Sequence, residues 1–303
     1  MYRMQRIMPL IGATVTGPLG VMHLPRMWLK GVYSAAGLLW EGYFDNYKGF
    51  NQQVCDGLGL EPDAWFAYLA TMPTYPQAED YVRSHAKKLD PATIADLNNG
   101  IASYDRPEEG AAAVRALTGI TDASVHNSQL LLCYDDWYAI HATLLAHRAE
   151  GIEPLVPMVS SGQVGLAGIP HLPRMWMKAL LNAAGALHPE WKSGIVCGFD
   201  KKISETIGLD LVATVAYVNA ELPNYLQFEN WVLNHIPPVD DATKVTWVSN
   251  VAAMQKPEEM SAAECKECGV AGAGLRGTVL LNDMVDWKYM HDRVAGSKAA
   301  GVA

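Results

Sequence analysis

The sequence of 303 residues is poor in the features that would place it outside a reducing compartment. Its five cysteines, Cys55, Cys133, Cys197, Cys265 and Cys268, form no even, regularly spaced framework, so no disulfide scaffold is expected. No charged-then-apolar leader opens the chain, and a cytoplasmic location is the natural expectation. Long apolar runs are also lacking. Gly, Pro, Lys or Asp interrupts each hydrophobic stretch before the roughly 18 to 20 residues needed to cross a bilayer, which argues against a membrane partner. Basic residues are outnumbered: 23 Lys and Arg face 32 Asp and Glu, for a formal net charge of -9, and no local basic stripe compensates. Nucleic acid is therefore not expected as a partner. Missing too are a Gly-x-Gly-x-x-Gly turn, a phosphate-loop Gly-Lys-Ser/Thr and a Gly-x-Ser-x-Gly nucleophile turn. Nucleotide and serine-hydrolase chemistry drop out with them, and no organic cofactor is expected.

What the sequence does contain is an internal duplication. Gly20-Val21-Met22-His23-Leu24-Pro25-Arg26-Met27-Trp28-Leu29-Lys30 recurs as Gly168-Ile169-Pro170-His171-Leu172-Pro173-Arg174-Met175-Trp176-Met177-Lys178, at an offset of 148. Gly49-Phe50-Asn51 answers Gly198-Phe199-Asp200 at 149, and Asp136-Trp137 with His141 answers Asp286-Trp287 with His291 at 150. Matches in this order, with single-residue slips, mark two copies of one unit, from Pro9 to Arg148 and from Pro157 to Val294. The polar segment 149–154 reads as a linker, giving domains 1–150 and 151–303. The expected fold is mainly α, two similar helical repeats packed about a pseudo-twofold axis, as a homodimer of the single unit would be. Two independent domains are the plainer arrangement.

Local signals favour helices in both copies. Pro25 and Pro173 suit a first helical turn, and Arg26 with Lys30, like Arg174 with Lys178, share a helix face four residues apart. Pro62 and Asp90-Pro91 open further helices, with Asp90 as the expected N-cap; Glu108 to Leu117 and Trp137 to His147 are helix-favouring as well. Val212 to Val218, rich in Val and Thr, resembles a strand, but its counterpart Asp63 to Leu69 has helical period, so both are expected to be helices.

Arg26, Met27, Lys30, Lys48, Gly49, Phe50 and Asn51 in copy one, and Arg174, Met175, Lys178, Gly198, Phe199 and Asp200 in copy two, follow a recognisable pattern. It resembles a bacterial family catalogued as domain of unknown function 5069, occurring twice and covering nearly the whole chain. That family prefers Asp after Gly-Phe, which Asp200 keeps and Asn51 does not. It also carries a Tyr-His pair upstream, where this chain has Tyr43-Phe44 in one copy and a displaced His188 in the other. The resemblance implies shared ancestry, a compact unit and an asymmetric pair of sites, and it brings no reaction with it.

Candidate chemistry centres on repeated residues. His23 and His171 suit proton transfer near neutrality, and Arg26 and Arg174, with Lys30 and Lys178, suit a carboxylate. A pseudo-twofold would bring the His and Arg pairs together in one cavity. The plainer expectation is that each His bonds loop backbone and each Arg pairs with a structural carboxylate. Asp136 with His141, and Asp286 with His291, form a second acid-base candidate; as structure, each Asp would be an N-cap and Trp137 or Trp287 a core anchor. Trp28 and Trp176, with Trp40, Tyr43, Tyr47 and Trp191 nearby, would either fill core or line a pocket for a flat ligand.

The reading that gathers these residues is a cofactor-independent lyase, isomerase or hydrolase acting on a carboxylated or aromatic small molecule, with His/Asp acid-base catalysis and Arg anchoring. An alternative is a non-catalytic ligand-binding or assembly protein, marked by an apolar pocket without converging titratable groups. A third is a metal-dependent enzyme using His23, His171, His141 and His291, although no His-Glu-x-x-His signature is present and Cys265-x-x-Cys268 lacks a second pair. A homo-oligomer is left open.

Overall fold

The computed structural model describes residues 6–43 and 45–299, with side chains to 296; Phe44 falls outside them. Among the described residues the chain is mainly helical, with 14 α-helices and no extended strand, only isolated bridges such as Ile7 with Leu39 and its equivalent Leu155 with Leu187. No helix there is long and apolar enough to cross a membrane.

The helices come in seven equivalent pairs, and in several of them the same local chemistry starts both members. Helices α1 (Leu24–Ala35) and α8 (Leu172–Ala183) carry proline in the first turn and are buried almost all round, which makes them central rods. Helices α2 (Phe50–Leu58) and α9 (Gly198–Ile207) stop at Gly59 and Gly208, both left-handed. Helix α3 (Pro62–Leu69) pairs with α10 (Leu211–Glu221), where Asp210 caps Val212 and Ala213. The Val- and Thr-rich 212–218 segment is thus helical, and its first residue, Val212, is 65% exposed. Capping boxes, Thr74 with Gln77 and Asn224 with Gln227, open α4 (Tyr75–His85) and α11 (Tyr225–Leu233). Asp90 and Asp240 cap α5 (Pro91–Ala102) and α12 (Asp241–Ala252). Paired glutamates in the first turn favour α6 (Glu108–Thr118) and α13 (Glu258–Glu267), and the long helices α7 (Ser128–His147) and α14 (Thr278–Ala299) complete the set.

The chain divides into two compact units that cut across the two sequence copies. One, the central unit, is residues 106–254: the last two helices of copy one, α6 and α7, with the first five of copy two, α8 to α12. The other, the terminal unit, is residues 6–105 with 255–299: the first five helices of copy one, with α13 and α14 from the end of copy two. The copies bounded at residue 150 are units of sequence, whereas each compact unit joins the front of one copy to the rear of the other.

Candidate functional site

Each central rod begins at a histidine in an unusual conformation. His23 (φ 65°) and His171 (φ 69°) are left-handed, a region that residues with a Cβ seldom enter. Their rings are buried and face the following helix pair. His171 donates from Nε2 to Asp200 Oδ1 at 2.8 Å, and Lys178 Nζ reaches the same oxygen at 2.5 Å. The other oxygen, Oδ2, accepts the Gly194 N–H at 2.9 Å. In the terminal unit the neutral Asn51 stands in that place: His23 Nε2 donates to its Oδ1 at 3.0 Å and Lys30 Nζ at 2.7 Å. In both rings Nδ1 is buried without a hydrogen-bond partner.

The electrostatics follow from burial. Burial, with the nearby Lys30 and Arg26 cations, holds His23 well below the usual histidine range. Burial also lowers His171, to about 4, against the opposing pull of Asp200. For Asp200 burial alone would raise the carboxyl, but the His171 hydrogen bond and the Lys178 charge outweigh it and hold it below the ordinary range. At neutral pH the central unit therefore contains a neutral imidazole and a Lys178–Asp200 ion pair.

Both arginines reach loop backbone. Arg26 donates from Nη1 to the carbonyls of Pro9 and Ile11, and Arg174 to those of Pro157 and Val159, both at 2.7 Å. The histidines meet a side-chain amide or carboxylate where loop backbone was the plainer expectation, and the arginines bond loop backbone. Buried among those carbonyls, the two guanidinium groups tie the loop before each rod to the rod itself.

The second motif meets the first crosswise. Asp136 and Asp286 lie buried in the third turn of α7 and α14, so neither is an N-cap; Asn127 caps α7 instead. His141 Nε2 donates to Leu222 O at 2.8 Å, and His291 Nε2 to Met72 O at 3.0 Å. Leu222 (φ 46°) and Met72 (φ 59°) are strained left-handed residues just before proline, and the next carbonyl in each turn, Pro223 or Pro73, accepts the indole N–H of Trp176 or Trp28. Trp137 and Trp287 are core anchors, packed edge-on to Tyr225 and Tyr75 at 4.4 and 4.6 Å. The chain thus brings the rear motif of one copy onto the front motif of the other, inside each unit. Of the remaining aromatics, Trp40, Tyr43 and Trp191 are half-buried and Tyr47 is exposed. No group of three or more His, Cys, Asp or Glu able to hold a metal occurs among the described residues.

The site that sequence reasoning missed is a cavity of about 350 Å³ between α9 and α12 of the central unit. Its walls include Ile169, Ile203, Ile207, Val251 and Met254, with Trp247 half-buried along one side. Lys202, Thr206 and Asn250 supply its polar groups. In the terminal unit the equivalent helices, α2 and α5, pack closely, while α9 and α12 have no comparable approach. Five replacements account for the difference. Gly57 admits Leu97, whose Cδ1 would lie 3.0 Å from a Cβ there; Thr206 and Trp247 hold these places in the central unit. Asn98 latches α5 to the loop before α1, accepting from Met22 N and donating to Gly20 O, both at 2.8 Å. Its equivalent is Val248, 38% exposed, and Met22 is replaced by Pro170, which has no N–H to give. Tyr104, edge-on to Phe50 at 5.7 Å, becomes Met254 on the cavity wall.

Comparison with family models, with curated proteins and with solved structures finds no match to this chain, so its function is argued from its own residues.

Proposed function

We propose that the protein binds a small molecule, that the cavity between α9 and α12 is where it does so, and that the repeated His, Arg and Lys residues are supports of the fold. The observation that carries this reading is the asymmetry: of two equivalent helix pairs, one is closed by close packing and the other holds about 350 Å³ lined mostly by apolar side chains. That volume falls in the range of ligand pockets, roughly 300 to 1,000 Å³. A double variant carrying the residues of the closed pair, Thr206→Gly with Trp247→Leu, tests it. In a thermal-shift screen of small amphipathic compounds, the hits on the natural protein should vanish with this variant. Hits that persist unchanged would overturn the reading.

A second reading, a cofactor-independent lyase, isomerase or hydrolase, is favoured by one feature. His171 is oriented by Asp200 through Nε2 and keeps an unengaged Nδ1 lone pair, the tautomer of a general base, while copy one has exchanged the carboxylate for Asn51. Its burial and its low proton affinity weigh against it. Turnover that is lost in His171→Gln but kept in His23→Gln would favour this reading over binding alone.

We also infer that the two copies pair about a pseudo-twofold, as descendants of a unit of the kind the family resemblance implies. Support comes from the reciprocal make-up of the units, His141 bonding Leu222 in one and His291 bonding Met72 in the other.

A further inference from the structure

Resting on the reading of the α9/α12 cavity as a ligand site, we propose that its ligand is a carboxylic acid with a compact apolar body, the carboxylate held at the mouth by Lys202. The cavity has one charged group in its lining, and it is a cation. Lys202 makes no ion pair among the described residues, whereas its neighbour Lys201 lies 3.9 Å from Glu205. No carboxylate lines the cavity, and the buried Asp200 on the same helix as Lys202 is engaged by His171, Lys178 and Gly194.

The head group follows from the donors. Lys202 is a point charge on a flexible stem, and beside it are only neutral groups, the Asn250 amide with its N–H donors and the Thr206 hydroxyl, whose own proton goes to the Lys202 carbonyl at 2.8 Å. One positive charge with neutral donors balances a monoanion; a phosphate dianion is ordinarily held by an arginine fork or several cations. The body follows from the walls: Ile169, Ile203, Ile207 and Val251 offer no hydrogen bonds, and the face of Trp247 suits a chain or ring laid flat against it. The chain's formal charge of -9 gives a carboxylate no general attraction, so any preference for one must come from this local cation.

The test is a set of calorimetric titrations on the full chain with octanoate, octanol and octylamine. Octanoate should bind about fivefold tighter than octanol, the size expected of a partly exposed ion pair, and octylamine should bind most weakly. Lys202→Gln should remove the preference for octanoate and leave octanol binding intact. Equal affinity for octanoate and octanol in the natural protein, or a preference that survives Lys202→Gln, would overturn the carboxylate assignment while leaving the cavity as a ligand site. The closing variant Thr206→Gly/Trp247→Leu, and separately Met254→Tyr, should weaken all binding at least tenfold; if neither does, or if no probe binds, the underlying cavity reading fails instead. Retention of the natural protein's circular dichroism in either closing variant shows that the loss is one of binding and not of fold.

Discussion

Helices α2 and α5 lie packed in one unit, and their equivalents α9 and α12 stand apart in the other, although α5 and α12 both start from an aspartate cap and α2 and α9 both stop at a left-handed glycine. The contrast shows how little is needed to convert core into cavity. A glycine that admits a leucine, an asparagine latch and a tyrosine wedge close one pair; their loss opens the other. The buried rods differ in a complementary way. The central unit places a charged carboxylate under its histidine and lysine, and the terminal unit makes do with an amide.

The sharpest way to break this comparison is at the carboxylate. Asp200→Ala strands a buried Lys178 and should cost about 3 to 5 kcal/mol, whereas Asn51→Ala should cost about 1 to 3 kcal/mol. Urea denaturation measures both, and equal losses would mean that the two networks are energetically alike. Acid comes next. Because folding lowers the proton affinity of His171 to about 4 and also lowers that of His23, the unfolded chain takes up these protons first. Stability is therefore full above the unfolded histidine value near 6.5 and falls as pH drops toward 4, by on the order of 3 kcal/mol for His171. The depressed Asp200 adds to the loss below its own unfolded range. Melting temperatures between pH 7 and 4 should show this slope, and His171→Gln should flatten it.

A third experiment sharpens the likeness. Tyr75 and Glu79 press on Gly17, as Tyr225 and Glu229 press on Gly165, leaving 2.2 and 2.3 Å from a would-be Cβ to the nearest atom. Gly17→Ala and Gly165→Ala should each cost about 1 to 3 kcal/mol or more and should agree closely in chemical denaturation. The smallest effect is expected of Asn98→Val, which gives the terminal unit the valine of the other: a loss of about 1 kcal/mol, with faster amide exchange confined to α5.

Much of the fold was legible in the residues. Caps and prolines announced the helices, and the repeat correctly turned 212–218 from a strand-like run into a helix. The crosswise pairing was not legible, for a reason inherent in repeated sequence. His141 and His291 follow the same Asp-Trp at the same spacing, so the motif does not say which copy's front motif is its partner, and the choice is made over a separation of 219 residues for His291 and Met72. The repeated His, Arg and Trp residues stood out because they are alike, and all of them are buried in both copies. The cavity was hidden because it arises from differences. Each replacement, such as Leu97 against Trp247, looks unremarkable alone, and their effect appears only when the five are set around one space.

The exchange of helix pairs bears on what would happen if the chain were severed in the 149–154 segment. The front piece would hold α1 and α4 without the α14 on which they pack, and α7 without the α11 on which it packs. Neither fragment would contain a whole unit, so each should be unstable in isolation while a mixture of the two reconstitutes both by complementation. The peptide bonds of that short connection serve to keep each piece at a high effective concentration for the other.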